Sequence, residues 1–242
     1  MIKAVIFDID NTLYGFDRAN EAGIAAVAEY ACRELNISAE DFSALHKKTQ
    51  ERLNQRMGKV AATHNRLIRY QNMLEELHLP LSPHVLNMEA LFWDTLLEKA
   101  ELTEGAEELF RTIKRMGILI GIGTNMTARM QFRKLEKLGL LPYTDFVLTS
   151  EEAGMEKPDP LFYQFCAEKA GCAPGECLFI GDSYSHDAGG AVRAGMKALW
   201  YCPDDRVPDS AGSFRMEEGI CRIQKLAQAA DYLEASQRES RL

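Results

Sequence analysis

An apolar run that ends in two acids is the feature that most constrains this chain. Residues 4–7 are apolar and rich in β-branched and aromatic side chains, which predicts a strand buried on both faces. Asp8 and Asp10 follow at once, two positions apart. A buried carboxylate without a partner is strongly disfavoured, and in a parallel sheet the ligand crevice lies beyond the carboxyl ends of the strands. Asp8 and Asp10 are therefore predicted to line a site that contains a cation.

Composition and charge argue against several classes of protein. The 242 residues suffice for one large α/β domain or for two smaller ones. A net charge of −8 argues against nucleic acid as a partner. No apolar run approaches the roughly 18 residues of a membrane span, so no membrane is expected as a partner either. The chain leads directly into its first strand without room for a signal peptide, and its six cysteines are scattered without a C-x-x-C pair. Both features predict a cytoplasmic protein with reduced thiols.

The first third of the chain is predicted to be helical. Residues 15–98 contain apolar side chains at helical spacing and no good strand. Ser38 is followed by an acid three residues on, which is typical of a helix start, and 79–83 contains two prolines that break the pattern. Four helices are predicted there, over 20–35, 41–57, 63–77 and 83–99.

From residue 102 onward the pattern changes to helices alternating with strands, which predicts a parallel sheet with right-handed crossovers. The further strands are predicted at 118–123, 146–149, 177–181 and 197–201. Residues 203–219 are predicted to form a surface loop and 224–233 a closing helix. The expected architecture is an α/β domain made of residues 1–14 and 99–242, interrupted after its first strand by an all-helical insertion, residues 15–98.

Polar residues follow four of the predicted strands, and a doubly wound sheet brings such strand ends together. They are Asp8 and Asp10 after the first strand, Thr124 and Asn125 after the second, Lys157 after the third, and Asp182 with Asp187 after the fourth. The hydroxyl, amide and ammonium groups can bind phosphate, whereas the acids would repel it unless a hard cation such as Mg²⁺ lay among them. One carboxylate could then act as nucleophile and another as general acid/base, so the set indicates phosphoryl transfer.

In this order and spacing, the motifs resemble those of the haloacid-dehalogenase-like (HAD) hydrolases, in the phosphatase branch with a helical cap inserted after the first motif. The matching segments are Asp8-Ile9-Asp10-Asn11-Thr12-Leu13, Thr124-Asn125, Lys157-Pro158, and Gly181-Asp182-Ser183 with Asp187. The resemblance covers about residues 3–201 and implies a Rossmann-like parallel-sheet core with an all-helical cap.

The resemblance also implies a role for each residue. Asp8 would attack phosphorus and form an aspartyl-phosphate, and Asp10 would protonate the leaving oxygen and then activate water. Thr124, with Asn125 beside it, would bind the phosphoryl oxygens, and Lys157 would balance their charge. Mg²⁺ would be held by metal ligands at Asp8, the backbone carbonyl of Asp10, Asp182, and Asp187 directly or through water.

The helical insertion carries a local excess of positive charge. Between residues 46 and 70 there are seven basic residues and one acid, a net charge of +6. Lys48, Arg52 and Arg56 are spaced to share one helix face. This face is interpreted either as ordinary solvated surface or as part of a cap that attracts an anionic substrate. Under the second interpretation, Arg56 or Arg66 would help to select the leaving group.

The leading prediction is a Mg²⁺-dependent phosphomonoesterase for a small phosphorylated metabolite, either a nucleotide or a sugar phosphate. The alternatives with the same fold are a 2-haloacid dehalogenase, which needs neither the metal nor a second acid at Asp10, and a phosphomutase. The non-enzymatic alternative is a phospho-accepting or binding module. The sequence makes no prediction of oligomeric state.

Overall fold

The computed structural model describes residues 1–203 and 219–239. The chain divides into two compact units. The first unit contains Met1–Gly15 and Glu101–Leu242, and is called the α/β unit; the second contains Phe16–Ala100, and is called the helical unit. These dividing points lie one or two residues further along the chain than those expected from the sequence.

The α/β unit is built on a six-stranded sheet in which every neighbouring pair of strands is parallel. Its strands are β1 Ala4–Phe7, β2 Leu119–Thr124, β3 Phe146–Thr149, β4 Cys177–Gly181, β5 Lys197–Tyr201 and β6 Ile220–Ile223. The spatial order is β3-β2-β1-β4-β5-β6, so the direction of winding reverses next to β1. In such a sheet a ligand crevice opens where the winding reverses, beyond the carboxyl ends of the strands. Asp8 and Asp10, which follow β1, therefore lie where the ligand crevice is expected.

The central strand is apolar because both of its faces are covered. All four residues of β1 have no exposed surface, and Phe7 lies level with Ile122 of β2 and Ile180 of β4. This confirms the prediction of a buried parallel strand. The sheet also contains β6, which was not predicted from the sequence. Only its end residues, Ile220 and Ile223, are buried, as expected for a short strand at the edge of a sheet.

The helical unit contains four helices and one short 3₁₀ helix. The helices are α1 Phe16–Leu35, α2 Ala39–Met57, α3 Arg66–Glu76 and α4 His84–Lys99. Ser38 caps α2 as predicted, because its hydroxyl accepts a hydrogen bond of 3.1 Å from the N–H of Asp41. The helix predicted from residue 63 begins instead at Arg66, after the 3₁₀ helix Ala61–His64, because the Asn65 side chain caps it. Large apolar side chains from α3 and α4 fill the interior of this unit, among them Tyr70, Phe92 and Trp93.

The remaining helices flank the sheet. They are α5 Ala106–Arg115, α6 Ala128–Lys137, α7 Ser150–Ala153, α8 Pro160–Ala170, α9 Gly189–Arg193 and α10 Ala227–Glu239. The segment after β4 forms a π-helical turn, Tyr184–Ala188, which leads directly into α9. The predicted closing helix begins three residues late and runs to Glu239. The predicted surface loop over 203–219 lies outside the described residues, apart from its two end positions. None of the helices in the described ranges has both the length and the apolar character that membrane crossing requires.

Candidate active site

The two acids after β1 leave the strand on a tight turn. The N–H of Asp8 still pairs with the carbonyl of Ile180 at 2.9 Å, which continues the ladder to β4. Asn11 then adopts a left-handed conformation with φ of 57°, and the N–H of Leu13 returns to the carbonyl of Ile9 at 2.9 Å. Asparagine tolerates this conformation better than most residues. The turn separates Asp8, which is 8% exposed, from Asp10, which is partly exposed.

Lys157 connects the acid of the first loop with an acid of the fourth. Its Nζ lies 2.8 Å from Oδ1 of Asp8 and 2.6 Å from Oδ1 of Asp187, and it donates to the carbonyl of Gly123 at 3.1 Å. Burial alone would lower the pKa of Lys157, but Asp187 and Asp8 outweigh this effect and raise the pKa above its ordinary value. Lys157 is therefore a fixed positive charge beside Asp8.

A third carboxylate, that of Asp182, lies close to the two that Lys157 contacts. Oxygen atoms of Asp8, Asp182 and Asp187 all lie within 4.8 Å of one another. Burial raises the pKa of Asp8 to about 6, with Asp187 and Asp10 adding to the effect and Lys157 opposing it. Burial, together with the charges of Asp8 and Asp187, raises the pKa of Asp182 to about 8. One lysine does not neutralise three acids, so this donor set suits a hard divalent cation with oxygen ligands.

The loop after β4 is built so that Asp187 can approach the strand. A Cβ atom added to Gly181 would overlap the carboxylate of Asp187. The N–H of Ser183 donates to Oδ2 of Asp187 at 2.9 Å, and the indole of Trp200 donates to the carbonyl of Asp182 at 2.8 Å. The N–H of Asp182 donates to the hydroxyl of Thr12 at 3.0 Å, which ties this loop to the one after β1.

Thr124 and Asn125 lie at the end of β2 and connect the second and third loops. Thr124 is 1% exposed, and Oδ1 of Asn125 accepts a hydrogen bond of 2.9 Å from the backbone N–H of Lys157. The structure thus brings Thr124, Asn125 and Lys157 to the same edge of the sheet as the acids. The carboxamide oxygen of Asn125 holds the backbone of the Lys157 loop.

Three residues of this site were not predicted from the sequence: Gln131 and Lys134 on α6, and Tyr14 in the turn after β1. The amide of Gln131 donates to the Thr124 hydroxyl at 2.6 Å. Nζ of Lys134 lies 2.6 Å and 2.9 Å from the two carboxylate oxygens of Asp10, and the hydroxyl of Tyr14 donates to Asp10 at 2.8 Å. A signal was present in the sequence, because Gln131 and Lys134 are three positions apart on a helix face that is otherwise apolar.

The two arginines predicted to influence specificity belong to the helical unit, and they differ strongly in exposure. The guanidinium of Arg66 lies 4.7 Å from the ring centre of Phe92, donates to Oδ1 of Asn20 at 3.1 Å, and is 5% exposed. Arg56 is exposed and borders a cleft of about 600 Å³ between α2 and α3. The cleft is lined by Thr49, Arg52, Leu53, Gln55, Arg56, Asn72, Glu75 and Glu76.

The basic face of α2 is partly neutralised inside the helical unit. Lys48 and Arg52 both form ion pairs with Glu76 of α3, at 2.5 Å and 2.6 Å. Exposed pairs of this kind contribute little to stability. The two ion pairs favour the interpretation of this face as solvated surface. Of the three basic residues on the face, Arg56 has the weakest structural role.

Comparison with known proteins identifies the family to which the chain belongs. Residues 2–195 match the family model for haloacid dehalogenase-like hydrolases. The chain is 34% identical over 209 residues to a ribulose-1,5-bisphosphate 5-phosphatase of Halopiger xanaduensis, covering 85% of this chain and 87% of the relative. It is 31% identical over 201 residues to a glyceraldehyde 3-phosphate phosphatase of Methanopyrus kandleri, covering 81% and 82%. The crystal structure of a HAD phosphatase from Thermococcus onnurineus superposes with a TM-score of 0.73 at 23% identity, covering 96% of this chain and 98% of that one. The chain therefore belongs to the haloacid dehalogenase-like hydrolase family, as its ordered motifs predicted.

Proposed function

We propose that this protein is a Mg²⁺-dependent phosphomonoesterase that hydrolyses a small sugar or nucleotide phosphate through an aspartyl-phosphate on Asp8. The observation that carries the proposal is the contrast between the two acids that follow β1. Asp8 is buried beside Lys157, whereas Asp10 is partly exposed and held by Lys134 and Tyr14. Two carboxylates in different environments can perform different tasks in one reaction. The two relatives named above, both phosphatases by name, support the same substrate class.

In the first half of the proposed reaction, a carboxylate oxygen of Asp8 attacks phosphorus, and the bond from phosphorus to the leaving oxygen breaks. Asp10 gives its proton to that oxygen, so the alcohol departs uncharged. Thr124 and Lys157 supply a hydroxyl and an ammonium group that hold the phosphoryl oxygens, and Lys157 offsets negative charge at Asp8.

In the second half, Asp10 is a carboxylate and takes a proton from water. The water oxygen attacks phosphorus, and the bond between phosphorus and Asp8 breaks. Inorganic phosphate leaves, Asp8 is again a carboxylate, and Asp10 again carries its proton. The net reaction is hydrolysis of the ester, with every proton accounted for by Asp10 and water.

The donor set supports Mg²⁺ as the cation. Asp8, Asp182 and Asp187 approach one another more closely than their charges favour, and all their ligand atoms are oxygens. We assign these three acids and the backbone carbonyl of Asp10 to the metal. The two oxygens of Asp187 also accept hydrogen bonds from Lys157 and Ser183. We assign Asp187 a contact with the metal that is either direct or through water. When bound, the metal would offset negative charge on the nucleophile and on the phosphoryl group.

The geometry around Asp10 counts against the dehalogenase alternative. Displacing a halide requires no proton from a second acid, yet Asp10 is held by contacts with Lys134 and Tyr14. We further assign the helical unit the role of a cap that favours small substrates over phosphoproteins, because a closing lid excludes water and bulky chains. The six free cysteines support a reducing, cytoplasmic location.

The test is a panel of phosphate monoesters, including p-nitrophenyl phosphate, sugar phosphates and nucleotides, assayed for released phosphate. The expected result is turnover with Mg²⁺, loss of turnover in excess EDTA, and no turnover by Asp8→Asn, which still folds as judged by circular dichroism. A parallel assay of 2-chloropropionate for released chloride tests the dehalogenase alternative. Turnover that survives EDTA, or chloride release without phosphatase activity, would overturn the proposal.

A further inference from the structure

Helix α6 brings a completely buried lysine to the candidate active site. Lys134 has no exposed surface, and its neighbours on the buried face of α6 include Met130 and Leu135. Burying an ammonium group costs several kcal/mol unless it is paired and hydrogen-bonded. Replacing a buried ion pair by apolar residues is often neutral or even stabilising. Stability alone therefore does not explain why this position carries lysine rather than another apolar residue.

The ammonium group of Lys134 contacts both oxygens of one carboxyl group. Its Nζ lies 2.6 Å from Oδ1 and 2.9 Å from Oδ2 of Asp10. Tyr14 adds a third contact, from its hydroxyl to Oδ1 at 2.8 Å, and its ring centre lies 5.6 Å from the same Nζ. The two anchors come from different segments, α6 and the turn after β1. Together they restrict rotation of the Asp10 carboxyl group about its side-chain bonds.

This restriction matters because Asp10 does not lie on a regular element. It follows the end of β1 by three positions and precedes the left-handed Asn11. Its side chain is 23% exposed, so the carboxyl group has room to turn while remaining accessible to a ligand. A proton donor that is misplaced by about 1 Å can lose on the order of 100-fold in rate.

We propose that Lys134 is a positioning residue, which holds the Asp10 carboxyl group in the orientation from which it reaches the leaving oxygen. This inference rests on the proposed phosphatase function and extends it to a residue outside the motifs that predicted the site. In this role Lys134 acts through Asp10 rather than on the reacting phosphoryl group. Its removal therefore impairs proton donation to the leaving group more than it impairs attack by Asp8.

The test compares leaving groups in Lys134→Met, a variant that keeps the length and apolar stem of the side chain. The two substrates are p-nitrophenyl phosphate and the alkyl phosphate that the wild-type protein turns over fastest. An alkoxide needs a proton in order to leave, whereas p-nitrophenolate leaves readily without one. The quantity measured is kcat/KM at saturating Mg²⁺, which covers only the steps up to formation of the phospho-enzyme.

In Lys134→Met we expect kcat/KM for the alkyl phosphate to fall about 100-fold or more. We expect kcat/KM for p-nitrophenyl phosphate to stay within about fivefold of the wild-type value. Lys137→Met is the matched control, because Lys137 lies on the same helix and is exposed. It should leave the ratio of the two kcat/KM values unchanged. Lys134→Gln, which keeps a hydrogen-bond donor, should fall between the wild-type protein and Lys134→Met, and it carries the same comparison if Lys134→Met does not fold.

Equal losses on both substrates, or no loss on either, would overturn the positioning role while leaving the phosphatase function intact. If the wild-type protein hydrolyses neither ester, the phosphatase function itself falls, and the role of Lys134 falls with it. A merely structural lysine would lower the amount of folded protein and would scale both substrates by the same factor.

Discussion

Nζ of Lys157 lies 2.6 Å from Oδ1 of Asp187, and the two side chains are 3% and 1% exposed. The pair joins the loop after β3 to the loop after β4, and it sets the ammonium group 2.8 Å from Asp8. Removing one partner of a buried pair leaves a buried charge without full compensation, which is far more damaging than loss of a surface pair.

Asp187→Asn should lower both stability and activity. We expect unfolding in urea to require about 3 kcal/mol less free energy, because Lys157 keeps only Asp8 as a charged partner. Activity on p-nitrophenyl phosphate should fall about 100-fold, because the ammonium group is no longer fixed beside the nucleophile. Asp231→Asn, an exposed substitution on α10, is the control and should change neither quantity. Wild-type stability in Asp187→Asn would show that the pair is not a structural link.

Gly181→Ala should disturb the pair of Lys157 and Asp187 from the side of β4. The added methyl group would overlap the carboxylate of Asp187, and overpacking of this kind typically costs about 1–3 kcal/mol. We expect a lower melting temperature together with reduced phosphatase activity. In Gly175→Ala the nearest heavy atom to the added carbon lies 3.9 Å away, so this control should behave as the wild-type protein does. Full activity in Gly181→Ala would contradict the close approach of Asp187 to β4.

His46 should make the stability of the protein depend on pH. Burial, with Arg69 and Arg66 nearby, lowers the pKa of His46 to about 3. Below the unfolded pKa of about 6.5 the unfolded chain binds a proton that the folded chain rejects, so this contribution to stability is present at neutral pH and is lost as pH falls. Between pH 7 and pH 5 the wild-type protein should lose about 2 kcal/mol more than His46→Gln does.

Urea unfolding at the two pH values measures this difference. His78→Asn is the matched control, since His78 is exposed and asparagine suits its left-handed conformation, φ of 54°. Between pH 7 and pH 5, His78→Asn should lose as much stability as the wild-type protein does. If His46→Gln loses as much as well, then His46 is not buried as a neutral side chain.

Changing Arg66 to alanine should lower the stability of the protein, whereas changing Arg56 to alanine should not. Arg66→Ala removes a buried side chain that contacts Phe92 and Asn20, so we expect a stability loss of about 2 kcal/mol or more. Arg56→Ala should leave stability unchanged, because the side chain is exposed. If Arg56 helps to select the substrate, its removal raises KM for some phosphate esters and not for others. Unchanged KM values across the panel for both variants would remove these arginines from the account of specificity.

That the strand-end residues lie close together could be predicted from the sequence, because one simple rule governs their position. Asp8 and Lys157 are far apart in the chain, but each follows a strand of a parallel sheet, so the topology alone brings them together. Lys134 obeys no such rule. Its place on an apolar helix face marks it as unusual, yet spacing along the chain does not reveal that its partner is Asp10, 124 positions away. The pairing of Glu76 with Lys48 and Arg52 was hidden in the same way, because it depends on how α2 and α3 pack.

The most direct test of the central claim is to observe a phosphoryl group on Asp8. In Asp10→Asn the first transfer from p-nitrophenyl phosphate should still proceed, because this leaving group needs no proton, whereas hydrolysis should be slow without the base. Mass spectrometry of the acid-quenched variant, mixed with p-nitrophenyl phosphate and Mg²⁺, locates any attached group. The account predicts one phosphoryl group per chain, on Asp8, with a matching burst of p-nitrophenol. Steady hydrolysis with no phosphoryl group on Asp8 at any time, or with the group on another residue, would contradict it.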